Sequence, residues 1–187
     1  MFVDVIDAWS YVGAVRFERA AALYTILTGE AVQISYRAAS FDPTADPADV
    51  VPAARITGIE LNVEDRVPAE GTDAWRVLTW AEASGDEIQR ELLHQLWRAH
   101  FLEGADIDDA FVLASRAALA GLDLETAEAL IASGEYLGEV IQQRETATSI
   151  GAATAPFVVV DARHTLAGVH SQDDYLRALQ QIASGAP

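Results

Sequence analysis

Apolar and polar positions along the chain fall into blocks of two periods. Phe2 to Ile6 is a short run rich in Val and Ile and reads as a buried first strand. Asp7 stands directly before a helical pattern from about Trp9 to Leu27, whose apolar face carries Val12, Phe17, Leu23 and Tyr24. Gly29 supplies the stop. Val32 to Tyr36 alternates as a second strand, and a Pro- and Asp-rich loop with Pro43, Pro47 and Pro52 follows. The middle is helical: Thr72–Ala83, Asp86–Phe101, Asp108–Ala120 and Leu124–Ile131 show spacing near 3.6, separated by Gly85, Gly104 and Gly121. A further helix is predicted from about Glu135 to Thr148. After Gly151 the period changes again. Phe157–Val160 is an apolar strand, Asp161–His164 a turn, Thr165–Val169 the returning strand, and Gln172–Ala183 a last helix.

Strand, helix, strand, a block of helices, then strand, strand, helix is the order of an α/β thioredoxin fold with an inserted all-helical subdomain. The expected division is 1–66 for the first part of the thioredoxin domain, 67–148 for the insertion and 149–187 for the closing part. A chain of 187 residues that is half apolar can bury such a core. Its formal charge of -17 comes from 29 acids against 12 bases, every one of them arginine. That surface argues against nucleic acid and anionic membrane as partners, because both require neutralising cations. No apolar stretch approaches a membrane span. The start, MFVDVIDAW, has no basic region and does not read as a signal peptide, so a cytoplasmic protein is expected. Cysteine is absent, which excludes disulfides, cysteine zinc sites and thiol nucleophiles.

Several strings resemble the DsbA-like family, in particular its FrnE-like branch of predicted dithiol–disulfide isomerases, and the covering is nearly end to end. In that branch the first strand leads into cysteine-Pro-Trp-cysteine, then Tyr, an aliphatic residue and Gly. Here the stretch is Asp7-Ala8-Trp9-Ser10-Tyr11-Val12-Gly13, followed by Arg16-Phe17-Glu18-Arg19-Ala20. Tyr36-Arg37, Phe41-Asp42-Pro43, Ala74 to Leu78, Leu96 to Ala99 and Glu103 to Ile107 match in the same way. Ile150-Gly151-Ala152 through Ala155-Pro156-Phe157-Val158 resembles the segment whose proline, normally cis, faces the redox centre. Val50 to Gly58 looks shorter than the usual connection. Asp7 and Ser10 occupy the two cysteine places. Exchange of disulfides needs a thiolate that attacks sulfur, and neither a carboxylate nor a hydroxyl replaces it. The resemblance therefore implies the scaffold without its chemistry.

The ligand-binding candidates are Asp7, Trp9, Ser10, Ala155, Pro156 and His170. Asp7 reads first as an N-cap, whose bonds to helix N–H groups should depress its pKa and make it a poor base. Pro156, if cis, would expose backbone groups to an extended peptide or a glutathione-like ligand. Tyr11 and Trp80 are expected near or beneath the site, and His170 follows the last strand on the same face. His94 and His100 lack metal spacing, and His164 reads as a solvated turn residue, so no metal is expected. The leading expectation is a protein that binds a peptide or small molecule in the retained groove, without a cofactor. The alternative follows the resemblance to kappa-class glutathione transferases and hydroxychromene-carboxylate isomerases. These hold a low-molecular-weight thiol cofactor with a serine at the position of Asp7, where an aspartate would repel a thiolate. Many relatives pair, so a homodimer is among the assemblies the resemblance allows.

Overall fold

A computed structural model describes residues 1–41, 47–62 and 66–185. The order is β1 (Phe2–Val3), α1 (Ala8–Thr28), β2 (Arg37–Ala38), α2 (Pro47–Thr57), α3 (Thr72–Glu82), α4 (Asp86–Phe101), α5 (Ala110–Leu119), α6 (Leu124–Ala132), α7 (Leu137–Ser149), β3 (Phe157–Val160), β4 (His164–Ala167) and α8 (Gln172–Ala183). The sheet runs β2-β1-β3-β4. β1 and β2 are parallel, while β3 is antiparallel to β1 and to β4. This is the mixed α/β thioredoxin-like arrangement with a large helical block between β2 and β3, as the residue pattern implies.

Capping chemistry sets the ends of α1. Asp7 stands in extended backbone and its carboxylate accepts the Ser10 N–H, while Gly29, at φ 79°, turns the chain and returns its N–H to the Thr25 carbonyl. α8 packs along α1, with the Phe17 and Tyr175 rings edge to face at 5.2 Å. In the insertion Trp75, Leu78, Leu92, Leu93, Leu96 and Trp97 are buried in a core continuous with that of the sheet.

The strands depart from the apolar pattern. β1 stops at Val3 rather than Ile6, because Asp4 starts a turn: its carbonyl accepts the Asp7 N–H at 3.2 Å and its carboxylate the Ile6 N–H at 3.2 Å. The second strand is Arg37–Ala38, not Val32–Tyr36. In register Phe2 faces Arg37 and Val3 faces Ala38, and ahead of these pairs the Met1 amine donates to the Ser35 carbonyl at 2.7 Å. Tyr36 is held instead by the Gln89 side chain, which accepts its N–H at 2.9 Å and donates to its carbonyl at 3.1 Å. The Pro-rich stretch is partly helix. Pro47 opens α2, where a missing N–H costs nothing, and Val50 and Ala54 are buried; Pro43 lies outside the described residues. His164 is not a turn residue but begins β4 opposite Val160.

Candidate functional site

The start of α1 is built around two carboxylates. Asp7 Oδ2 accepts the Ser10 N–H at 2.6 Å, which fixes the first turn. Ser10 is fully buried and its hydroxyl accepts the Asp4 N–H at 3.0 Å, tying the helix back to β1. Its oxygen therefore serves the backbone and faces no ligand. Asp4, missed by pattern reading because it falls inside an apolar run, is itself buried. Burial raises its carboxyl to about 6, reinforced by the nearby Asp7 charge and opposed by the bond from Ile6.

Asp7 behaves differently from the sequence-based expectation. Burial raises its carboxyl above the ordinary value, outweighing the Ser10 bonds and the charge of Arg66 that pull the other way. Desolvation wins over the helix terminus, which a sequence cannot weigh without knowing what covers the cap. Gly71, at φ 67°, packs against the turn just before the cap: a Cβ there would stand 2.6 Å from Val5 Cγ1 and 3.3 Å from Ile6 Cγ2. Asp108 clamps this approach by accepting the N–H groups of Glu70 at 2.6 Å and Gly71 at 2.9 Å. Arg66 is the second residue the pattern did not single out; its guanidinium also lies over the Phe101 ring, 5.8 Å from the centroid.

Pro156 meets α1 from the other side. Its ring lies against Gly13, where an added Cβ would come within 2.5 Å of Pro156 Cγ. The Ala155–Pro156 bond is cis. Pro156 is buried and its carbonyl accepts the Gly168 N–H at 2.9 Å, while Ala155 before it is half-buried and Ala153 and Thr154 are exposed. Trp9 is half-buried beside Asp7. Tyr11 stacks on Trp97 at 4.9 Å and packs edge-on to His94, beneath the helix start rather than in the open. Trp80 is in the last turn of α3, at the end away from Gly71 and the Asp7 cap. His170 sits farther along α1: its carbonyl accepts from Arg16 at 3.4 Å and its ring packs on Tyr175 at 5.2 Å. Asp7, Trp9, Ala155 and Pro156 thus flank the first turns of α1, whereas Ser10 is sealed beneath them and His170 belongs to the Arg16 end.

His94 bridges to both oxygens of Glu18 at 2.9 and 3.0 Å, and Glu18 also accepts from the buried Tyr36 hydroxyl. Among the described residues no group of acids and histidines is spaced to hold a metal, and no helix is long and apolar enough to cross a membrane. A cleft of about 610 Å³ lies elsewhere, between β3, α8 and the segment before β2.

A family model described as DSBA-like thioredoxin domain matches residues 1–180. Among solved structures, a probable DsbA oxidoreductase from Streptomyces coelicolor is 25% identical with a TM-score of 0.84, over 100% of this chain and 89% of that one. A cytosolic disulfide reductase from Pseudomonas aeruginosa, solved with GSH, is 23% identical with a TM-score of 0.68, over 98% of this chain and 97% of its own. A 2-hydroxychromene-2-carboxylate isomerase is 17% identical with a TM-score of 0.67, over 98% of this chain and 92% of its own. No curated protein matches.

Proposed function

The chain belongs to the DSBA-like thioredoxin domain family and contains no cysteine, and from that premise we propose that it works by binding rather than by disulfide exchange, taking a peptide or small molecule at the groove of Asp7, Trp9, Ala155 and Pro156. The observation that carries this reading is the Asp7 cap. Its carboxylate sits where the helix start would hold an attacking thiolate, and its bond to the Ser10 N–H at 2.6 Å makes it part of the fold. An oxygen there can accept hydrogen bonds or exchange a proton, but cannot form a mixed disulfide. The Ala155 backbone makes no hydrogen bond among the described residues, which suits an extended ligand. A FrnE-like ancestry and a cytoplasmic setting accord with this reading.

A thiol-cofactor isomerase or transferase is the competing reading, supported by the likeness to the hydroxychromene-carboxylate isomerase and to a reductase solved with GSH. The local chemistry opposes it. Asp7 presents a carboxylate where a thiolate would rest, and the Ser10 hydroxyl is already committed to the Asp4 N–H.

Titration with glutathione and with short peptides, followed by tryptophan fluorescence in the protein and in Trp9→Phe, separates the readings. Peptide binding that quenches only the Trp9-containing protein, with no response to thiols, is expected. Saturable glutathione binding that is kept or strengthened in Asp7→Ala would replace the first reading with the second. Insulin reduction by the pure protein should stay at background, and turnover above it would overturn both the binding proposal and its premise.

A further inference from the structure

The sheet ends on β4, and its two edges are treated differently. At the β2 edge the Gln143 side chain, from α7, accepts the Ala38 N–H at 2.7 Å. On the outer side of β4 the His170 ring is the sole group that bonds to the strand among the described residues, and His164, Thr165 and Ala167 are exposed. Pairing with β3 is continuous from His164 to Ala167, and no proline or acid stands between Ala162 and Gln172. Neither bulge, proline nor negative charge therefore guards this edge.

Hydrogen-bond phase shows what the edge offers. Gly168 donates to the Pro156 carbonyl at 2.9 Å, and Phe157 faces Ala167 in register. Bonded pairs alternate along an antiparallel ladder, so His164 and Leu166 bond towards β3 while Thr165 and Ala167 turn their N–H and carbonyl groups outward. The Arg163 carbonyl lies opposite to the His164 N–H across their shared trans peptide, so it also faces outward. Two groups that a further strand would otherwise use are already taken. The Ala167 carbonyl accepts from His170 Nε2 at 3.2 Å, and the Arg163 N–H donates to the Val160 carbonyl at 3.1 Å in the hairpin turn. The open donors are the N–H groups of Thr165 and Ala167, and the open acceptors are the carbonyls of Thr165 and Arg163.

This set is its own complement. We propose that two copies of the chain pair antiparallel through β4, about a two-fold axis at Thr165, and join their sheets into one. In that register Thr165 exchanges both of its bonds with the partner's Thr165, and each Ala167 N–H donates to the partner's Arg163 carbonyl. The remaining bond of the ladder would run from the Arg163 N–H to the partner's Ala167 carbonyl. Those are the two groups already satisfied within each copy, so every open group is used and none is stranded. A foreign strand lacks this match: its own N–H would meet the occupied Ala167 carbonyl and its own carbonyl the occupied Arg163 N–H. An axis at Ala167 fails in the same way, because each Ala167 N–H would face an occupied carbonyl. Threonine opposite threonine is also a favourable cross-strand pair. The contact is small, so the dimer forms at micromolar rather than nanomolar concentration. It uses none of the residues of the Asp7 groove.

Because the chain has no cysteine, a single introduced one reports the register. Bonded residues directly opposite in an antiparallel pair have Cα atoms about 5.5 Å apart, within reach of a disulfide. Under mild oxidation Thr165→Cys should cross-link into a covalent dimer. Ala167→Cys, whose two copies would stand about 13 Å apart along the strands, should not. Sedimentation of the unaltered protein from micromolar to millimolar concentration should show a monomer–dimer equilibrium. Added salt should strengthen it by screening the repulsion between two chains of formal charge -17. Thr165→Pro removes one outward N–H per copy, at an edge position where proline is tolerated, and should weaken the dimer about tenfold or more; Thr165→Val should retain it. Circular dichroism checks that each variant is folded. A protein monomeric at millimolar concentration, equal cross-linking of the two cysteine variants, or an undiminished dimer in folded Thr165→Pro would each overturn the proposal. So would a monomer whose Thr165 and Ala167 amides shift on addition of an unrelated extended peptide, which would assign the edge to a foreign strand.

Discussion

Gly13 and Pro156 are in direct contact: the proline ring rests on the helix where any larger residue would place its Cβ within 2.5 Å of Pro156 Cγ. The contact joins α1 to the loop entering β3, beside the residues proposed to bind a ligand. Gly13→Ala has opposing effects. Alanine gains about 1 kcal/mol of helix propensity, whereas overpacking against a buried ring costs about 1–3 kcal/mol. Pro156 has little freedom to retreat because its carbonyl is bonded to Gly168. The variant should therefore be less stable by urea denaturation and should lose ligand binding at Ala155. A variant more stable than the parent would show that the ring moves freely.

Asp7 combines a favourable cap with an unfavourable buried charge, and two substitutions separate them. Asp7→Ala removes the acceptor of the Ser10 N–H and should cost about 1 kcal/mol. Asp7→Asn keeps an acceptor oxygen and removes the charge that burial disfavours. It should be at least as stable as the parent at pH 8, measured by urea denaturation. An Asn variant as weak as the Ala variant would mean that the charge itself holds the first turn.

The cap was legible in the residues because Asp7, the apolar face of α1 and Gly29 are local signals. Likewise Asp86–Phe101, Phe157–Val160 and Gln172–Ala183 have the bounds their periodicity implies. The second strand was not legible, since a strand exists only where a partner stands opposite, and the paired residues are Arg37 and Ala38. Asp4 and Arg66 were invisible for a related reason. Their importance comes from burial and from what faces them across the fold, which spacing does not encode. The sealing of Ser10 is also a tertiary fact, set by the Asp4 N–H.

Asp4 and His100 should give opposite pH dependence. Asp4 is held at about 6 in the fold, above its unfolded value near 3.8. Below that lower value it is protonated in both states and costs nothing; as pH rises through 6 the penalty becomes complete. Asp4→Asn keeps the oxygen that accepts the Ile6 N–H. It should match the parent near pH 4 and exceed it above pH 7 by on the order of 3 kcal/mol. His100 is buried and held at about 4, below its ordinary 6.5, so its penalty appears as pH falls between those values. His100→Gln should lack that acid loss. Urea midpoints across pH 4–8 test both, and parallel profiles for parent and variants would refute the assignments.

Gln89 replaces a missing strand. Its buried amide accepts the Tyr36 N–H and donates to the Tyr36 and Leu78 carbonyls, at 2.9, 3.1 and 3.2 Å. It therefore satisfies, from α4, the backbone that β1 and β2 leave unpaired, and it ties the helical insertion to the sheet. Gln89→Leu fills a similar volume but leaves the buried Tyr36 N–H without its acceptor, while the Tyr36 carbonyl keeps its bond from the Arg37 guanidinium. An unsatisfied buried N–H costs about 1–3 kcal/mol, so the variant should lose stability on that scale. Gln89→Glu distinguishes the donor from the acceptor: it keeps the oxygen that accepts from Tyr36 but turns the Nε2 donor into an acceptor facing two carbonyls. Both variants should lose stability, and hydrogen exchange at Tyr36 should speed up more in the Leu variant, where its N–H has no acceptor. Unchanged exchange at Tyr36 in Gln89→Leu would mean that another group can take over the role of the glutamine.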